Sequence, residues 1–140
     1  EGQAAIELEA ISDPGATGTY EVTLREGAAG APLLIDQAPV LASLLGDLAD
    51  GVPAGVVAMR FHRAVIHAIV EVASVAASRA GTRDVALGGG VFMNRIVLGG
   101  AAQGLTAAGL VPLTHVSLPM NDGAVSYGQA VVAWSNRHEA

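Results

Sequence analysis

The stretch Asp84-Val85-Ala86-Leu87-Gly88-Gly89-Gly90 constrains this chain more than any other. A short apolar run ending in three glycines reads as a strand delivered into a turn without Cβ atoms, where backbone can bend sharply and approach a ligand closely. Helical spacing resumes at about Asn94 and runs to Ala108, just before Gly109. Val111 to Leu118 is again strand-like, Pro119-Met120-Asn121-Asp122-Gly123 a loop, and Ala124 to Asn136 a final helix. This β-loop-α-β-loop-α order predicts an α/β unit with parallel neighbouring strands.

The first half supplies the rest of a single domain over residues 1–140. A short helix opens the chain, followed by a turn around Asp13-Pro14-Gly15. Thr19 to Leu24 alternates with period two and predicts a strand. Gly27 to Gly30 should turn it into a second strand near Pro32 to Asp36. Val40, Leu41, Leu44, Leu45 and Leu48 mark a helix over Ala38 to Asp50, and Pro53 can open the next, which runs to Ala80. That long helix is apolar on most of its circumference and should be largely buried. The chain begins with Glu1 in a pattern that is already helix-like, which predicts a piece of a longer polypeptide.

Composition removes several function classes. A net charge of −6 and only seven scattered Lys and Arg argue against a nucleic-acid partner. The absence of cysteine rules out a disulfide, a thiolate zinc site or a cysteine nucleophile, and fits a cytoplasmic setting. The longest apolar stretch, Val56 to Ala77, is interrupted by Arg60, His62, Arg63, His67 and Glu71, against a membrane span. Hydrophobic residues make up 51% of the chain and charged ones 14%, which suits a domain that also buries surface against a neighbour.

Two segments carry chemistry. Gly88-Gly89-Gly90 before a helix beginning near Asn94 would present backbone amides and a positive helix end to phosphate or a polar ribose. It lacks the Lys-Ser/Thr pair of a phosphate loop, and Met93 stands where a dinucleotide fingerprint needs its third glycine. The same residues would equally serve a tight strand-to-helix turn that Asn94 caps. Asp122, at the end of one predicted strand and the start of a helix, lies where open α/β sheets place ligand-binding groups. Its carboxylate would suit a divalent metal bridging substrate phosphates, or would simply cap the last helix. His62 and His67 lie on the long helix without metal-ligand spacing, and read as core histidines satisfying carbonyls. His115 falls on the predicted strand near the Asp122 loop.

Gly-Gly-Val-Phe-Met-Asn-Arg at 89–95, followed by Pro-x-Asn-Asp-Gly-x-x-x-x-Gly-Gln-Ala at 119–130, closely resembles the C-terminal end of the HypF family of hydrogenase-maturation carbamoyltransferases. The opening Glu1-Gly2-Gln3-Ala4-Ala5-Ile6-Glu7-Leu8-Glu9 resembles a segment of the same family, so the likeness spans nearly the whole chain. More distantly the chain is similar to the O-carbamoyltransferases and to TsaD. The resemblance implies the C-terminal lobe of an ASKHA (actin/hexokinase-like) domain, an α/β fold with a mixed sheet flanked by helices. It implies use of carbamoyl phosphate and ATP, through carbamoyl-adenylate, to carbamoylate the C-terminal cysteine of a HypE-like acceptor for [NiFe]-hydrogenase cyanide ligand synthesis. Carried over residue by residue, Gly89, Gly90 and Asn94 would contact the nucleotide. Asp122 would ligate a divalent metal, be it iron, zinc or magnesium, and Glu7 would meet the ribose.

The family pattern departs at Met93, often Gln in relatives, and at Ala124, often Gly. Relatives also bring two metal-binding histidines one helical turn apart from the preceding lobe. His62 and His67 cannot replace them, because five residues turn a helix by about 140° beyond a full turn. Two other readings stand beside this one: a small-molecule O-carbamoyltransferase of the same superfamily, and a non-catalytic module that binds a partner protein. With the histidine pair and the adenylating domain absent, the isolated 140-residue chain should show no ATP turnover dependent on carbamoyl phosphate. Turnover by a purified chain, abolished by Asp122→Asn, would contradict this.

Overall fold

A computed structural model describes residues 2–25 and 32–138. The expected turn at Gly27 to Gly30 lies outside the described residues. The elements are α1 (Gln3–Ile11), β1 (Thr23–Arg25), β2 (Leu34–Asp36), α2 (Ala38–Ala49), α3 (Ala54–Ala80), β3 (Asp84–Ala86), α4 (Arg95–Ala107), β4 (Val111–Leu113) and α5 (Val125–His138). Short 3₁₀ turns at Gly90–Met93 and Asp122–Ala124 precede α4 and α5. β1 and β2 pair antiparallel, with Leu24 opposite Ile35. β3 and β4 pair parallel, with Val85 opposite Pro112, and α4 makes the crossover between them. The α/β arrangement expected from the sequence is thus present, its strands forming two separate pairs.

The 27-residue α3 organises the chain. On one side Val57 and Ala64 join Tyr20 and Val40 in a buried cluster. On the other, Val65, Ile69 and Val70 pack against Leu87, Phe92, Val97, Ala101 and Leu105. Serving two cores at once explains why α3 is apolar around most of its circumference. Contact with α4 is close because α4 offers glycines to it. A Cβ on Gly104 would lie 2.6 Å from Val70 Cγ2, and one on Gly100 would overlap Ile66 Cδ1. No helix among the described residues is long and apolar enough to cross a membrane.

Two strands are shorter than their sequence pattern. Between Asp13 and Val22 the chain is laid on α3 instead of entering a ladder. Arg60 Nε donates to the Thr17 carbonyl at 3.1 Å, and Arg63 donates to the Gly18 carbonyl at 3.0 Å. These bonds hold the segment just before the expected strand, and pairing begins only at Thr23, because its partner β2 ends opposite it at Asp36 and turns into α2. β4 stops at Leu113 instead of Leu118, because its partner β3 leaves at the glycine turn; Leu87 N donating to Leu113 O at 2.9 Å is the last bond of that pair.

The loop before β1 is pinned by a charged network. The Tyr20 hydroxyl donates to Asp47 Oδ2 at 2.8 Å, and Arg60 donates to the same oxygen at 2.7 Å. Burial first, then the bond to Asp47, push the Tyr20 hydroxyl from its ordinary 10.0 up to about 12. The hydrogen bonds from Tyr20 and Arg60 hold the Asp47 carboxyl below the usual carboxylate range. A folded value raised above the unfolded one gives stabilisation that is complete below about pH 10 and lost as pH climbs through about 12. The Asp47 contribution has the opposite sense: it is present above the ordinary carboxylate value and lost as pH falls through the lowered one. Thermal melts should therefore show the midpoint falling across the alkaline window, and Tyr20→Phe should remove that part of the dependence. An alkaline limb unchanged in Tyr20→Phe would refute the role given to this hydroxyl.

Candidate functional site

The glycine turn forms one side of the site. Gly89 has φ 100° and ψ 163°, a backbone region open essentially only to glycine. Its N–H donates to the Met120 carbonyl at 2.8 Å, so this amide is engaged with the 114–121 loop. Gly90 has no positive φ, and a Cβ there would meet nothing within 4 Å. The conformational demand for glycine therefore falls on Gly89, while Gly90 keeps open space beside it. Phe92, buried in the core, anchors the 3₁₀ turn. His115 lies on the loop after β4 and not on a strand; a Cβ on Gly88 would be 3.6 Å from its Nε2.

Asn94 caps α4, as its position before the helical pattern predicts. Its Oδ1 accepts from Val97 N at 3.0 Å. Its Nδ2 lies 2.8 Å from Nε2 of His62, which reaches across from α3. His62 is buried, and its Nδ1 lies 2.8 Å from the Ala58 carbonyl. It is the carbonyl-satisfying core histidine expected on α3, with an added contact to the site that spacing alone does not reveal. His67 pairs instead with Glu71 on the helix surface, at 3.5 Å.

Helix α1 reaches the same end of α4 through Glu9. Glu9 Oε1 accepts from Arg95 N at 2.8 Å, satisfying an amide of the first turn of α4. Glu7 is exposed and accepts from Gln3 Nε2 within its own helix at 2.7 Å. Two residues turn a helix by about 200°, so the two carboxylates face different ways. Sequence reasoning missed Glu9; the repeated Glu-x-Glu was the available signal, but the choice between its members depends on how α1 lies on α4.

Asp122 opens the 3₁₀ turn before α5 and is exposed. The capping role expected as its alternative belongs to its neighbour: Asn121 Oδ1 accepts from Gly123 N at 3.1 Å. Asp122 also stands beyond a loop, not at the end of a strand, because β4 ends at Leu113. Among the described residues no three His, Cys, Asp or Glu converge to hold a metal ion. Asp122 can offer one hard oxygen ligand, and a metal bound there would need ligands beyond any such cluster of the described residues. The Gly89–Met120 hydrogen bond sets this loop beside the glycine turn, so Gly89, Gly90 and the Asp122 loop share one edge of the molecule.

Residues 1–129 match the family described as carbamoyltransferase, Kae1-like domain, second subdomain. The chain belongs to the HypF carbamoyltransferase family. It is 35% identical over 130 residues to the carbamoyltransferase HypF of Synechocystis, covering 92% of this chain and 16% of that protein. It is 36% identical over 135 residues to HypF of Rhizobium leguminosarum, covering 95% and 16%. A crystal structure of full-length HypF in a phosphate- and nucleotide-bound form superposes with a TM-score of 0.86 at 30% identity, over 95% of this chain and 17% of that one. HypF of T. kodakarensis shares the fold, with a TM-score of 0.78 at 23% identity over 99% of this chain and 17% of that one. The chain thus spans about a sixth of the length of these HypF relatives. Its architecture is the Kae1-like lobe that the motifs imply.

The backbone geometry gives a direct comparison within the turn. Gly89→Ala should destabilise the protein by ~1–3 kcal/mol, the cost of forcing a side chain into a glycine-only region. Gly90→Ala should change stability by less than ~0.5 kcal/mol, as open positions usually do. Chemical denaturation of both variants checks this, and equal losses would contradict the assignment of strain to Gly89.

Proposed function

We propose that this chain forms the nucleotide-facing wall of a HypF-type carbamoyltransferase. The enzyme uses carbamoyl phosphate and ATP, by way of carbamoyl-adenylate, and carbamoylates the C-terminal cysteine of a HypE-like acceptor. The observation that carries this reading is the hydrogen bond from Gly89 N to Met120 O, which joins the glycine turn to the Asp122 loop along one edge. A turn with open space beside Gly90 and a half-buried carboxamide at Asn94 suits a nucleotide, and an exposed carboxylate nearby suits the metal that accompanies its phosphates. Family membership supports the same reading.

Each residue has a distinct task in this proposal. Gly89 and Gly90 let the nucleotide approach the backbone, and Asn94 offers hydrogen bonds to it. Glu7, exposed on α1, is the acidic group for the ribose hydroxyls. Asp122 supplies one oxygen to a divalent metal, which would offset charge developing on the phosphates. The preceding lobe supplies the remaining ligands and packs on apolar surface such as Leu41, Leu45 and Leu48 of α2, each at least half exposed.

Asp122→Asn tests the metal role. Because capping rests with Asn121, the thermal midpoint should not move. Carbamoyl transfer by the full-length enzyme should fall by about two orders of magnitude or more, since a metal's charge stabilisation is worth several kcal/mol. Bound metal, thermal midpoint and transfer to the acceptor thiol are measured on one preparation. Full metal occupancy together with full transfer would sink the ligand assignment.

A further inference from the structure

His62 is 3% exposed, the most deeply buried polar side chain among the described residues, and its hydrogen bonds fix which atom donates. The Ala58 carbonyl can only accept, so the Nδ1 that lies 2.8 Å from it carries the hydrogen. Ser12 Oγ gives its own hydrogen to the Leu8 carbonyl at 2.8 Å, and faces Nδ1 at 3.2 Å as a second acceptor. Nε2 is left with its lone pair and accepts from Asn94 Nδ2 at 2.8 Å. At the other end of that carboxamide, Oδ1 is claimed by Val97 N–H at 3.0 Å. A flipped carboxamide would set two acceptors against each other at His62 and two donors at Val97.

We propose that His62 is a positioning residue for nucleotide binding, which holds the Asn94 carboxamide in one orientation and leaves its second Nδ2 hydrogen and second Oδ1 lone pair for the nucleotide. This rests on the reading of Asn94 as a nucleotide contact. A carboxamide has two donors and two acceptor sites, and the fold uses one of each. The cap bond alone fixes Oδ1 but lets the group swing about it; the bond to His62 fixes its plane. Pre-set geometry of this kind lowers the ordering cost of binding. A histidine used only to fill the core would be replaceable by an apolar residue without effect on ligand, and its burial would carry a desolvation cost to no purpose.

Two polar substitutions in the full-length enzyme separate these roles. His62→Asn keeps a donor near the Ala58 carbonyl but is too short to meet Asn94. His62→Gln can still present an acceptor there. ATP affinity measured by calorimetry should fall by about tenfold in His62→Asn and stay within about twofold in His62→Gln. The KM for ATP should rise alike, with kcat and the KM for carbamoyl phosphate unchanged, as expected when a ground-state contact is lost. Equal ATP affinities in the two variants would overturn the proposal, as would losses for both substrates that follow the thermal midpoint. Should His62→Asn fail to fold, Ser12→Ala loosens the ring from its other side and should weaken ATP by about threefold at an unchanged thermal midpoint; unchanged affinity there overturns the proposal. Asn94→Ala tells the two layers apart. Intact ATP affinity in Asn94→Ala defeats the reading of Asn94 itself, whereas a loss there without one in His62→Asn defeats only the positioning role.

Discussion

The close seating of α4 on α3 is the constraint from which the geometry of the site follows. Ile66 and Val70 lie over Gly100 and Gly104, where any side chain on α4 would collide with them. Ala101 and Leu105, between and beyond those glycines, are fully buried. Such packing fixes the spacing of the two helices and their register along the axis, since interiors this dense tolerate little sliding. The register then decides which residue of α3 faces the start of α4. It is His62, and the residue it meets is the cap, Asn94. A side chain at Gly104 would press on Val70, one of the contacts that set the spacing of the two helices.

Around this pair, the N-terminal part of the chain acts as a brace. α1 delivers Ser12 to the His62 ring and Glu9 to the Arg95 amide, so the first turn of α4 is held from two directions. Arg60 and Arg63 tie down the loop that follows α1, and Asp47 and Tyr20 anchor Arg60 in turn. On the opposite side of the α4 start, Gly89 is bonded to Met120, whose side chain packs on the core. The start of α4 thus carries contacts from α1, α3 and the turn before it, and one more bond joins that turn to the Asp122 loop. These bonds come from distant parts of the chain and meet at one edge, as expected where ligand geometry must be kept.

What could be read from the sequence follows the range of the interactions involved. The order of helices and strands and the cap at Asn94 depend on spacing within one element, and these were legible; α3 is less enclosed than its apolar pattern predicts, most of its residues being only half-buried. The motifs at 89–95 and 119–130 identified the family for the same reason, being local strings at fixed separation. The end of β4 was not legible, because it is set by where β3 departs and not by its own alternating pattern. Strand pairing near Thr19 was overstated since its partner β2 ends at Asp36, opposite Thr23, and gives way to α2 at Ala38. Assigning the cap to Asn121 in place of Asp122, and seeing that Glu9 meets the first turn of α4, required knowing directions in space that adjacent or near-adjacent positions do not encode. The His62–Asn94 contact spans 32 residues and depends on helix register, which no short motif reports.

The central claim is that the glycine turn and the Asp122 loop together face the nucleotide. Hydrogen exchange of the full-length enzyme, read by peptide with and without ATP and a divalent metal, addresses it most directly. Slower exchange on binding is expected in the peptides covering Gly88 to Asn94 and Asn121 to Gly123, with the outer side of α2 unaffected. Protection confined to other parts of the enzyme, with both of these segments exchanging as they do in the free protein, would contradict the account.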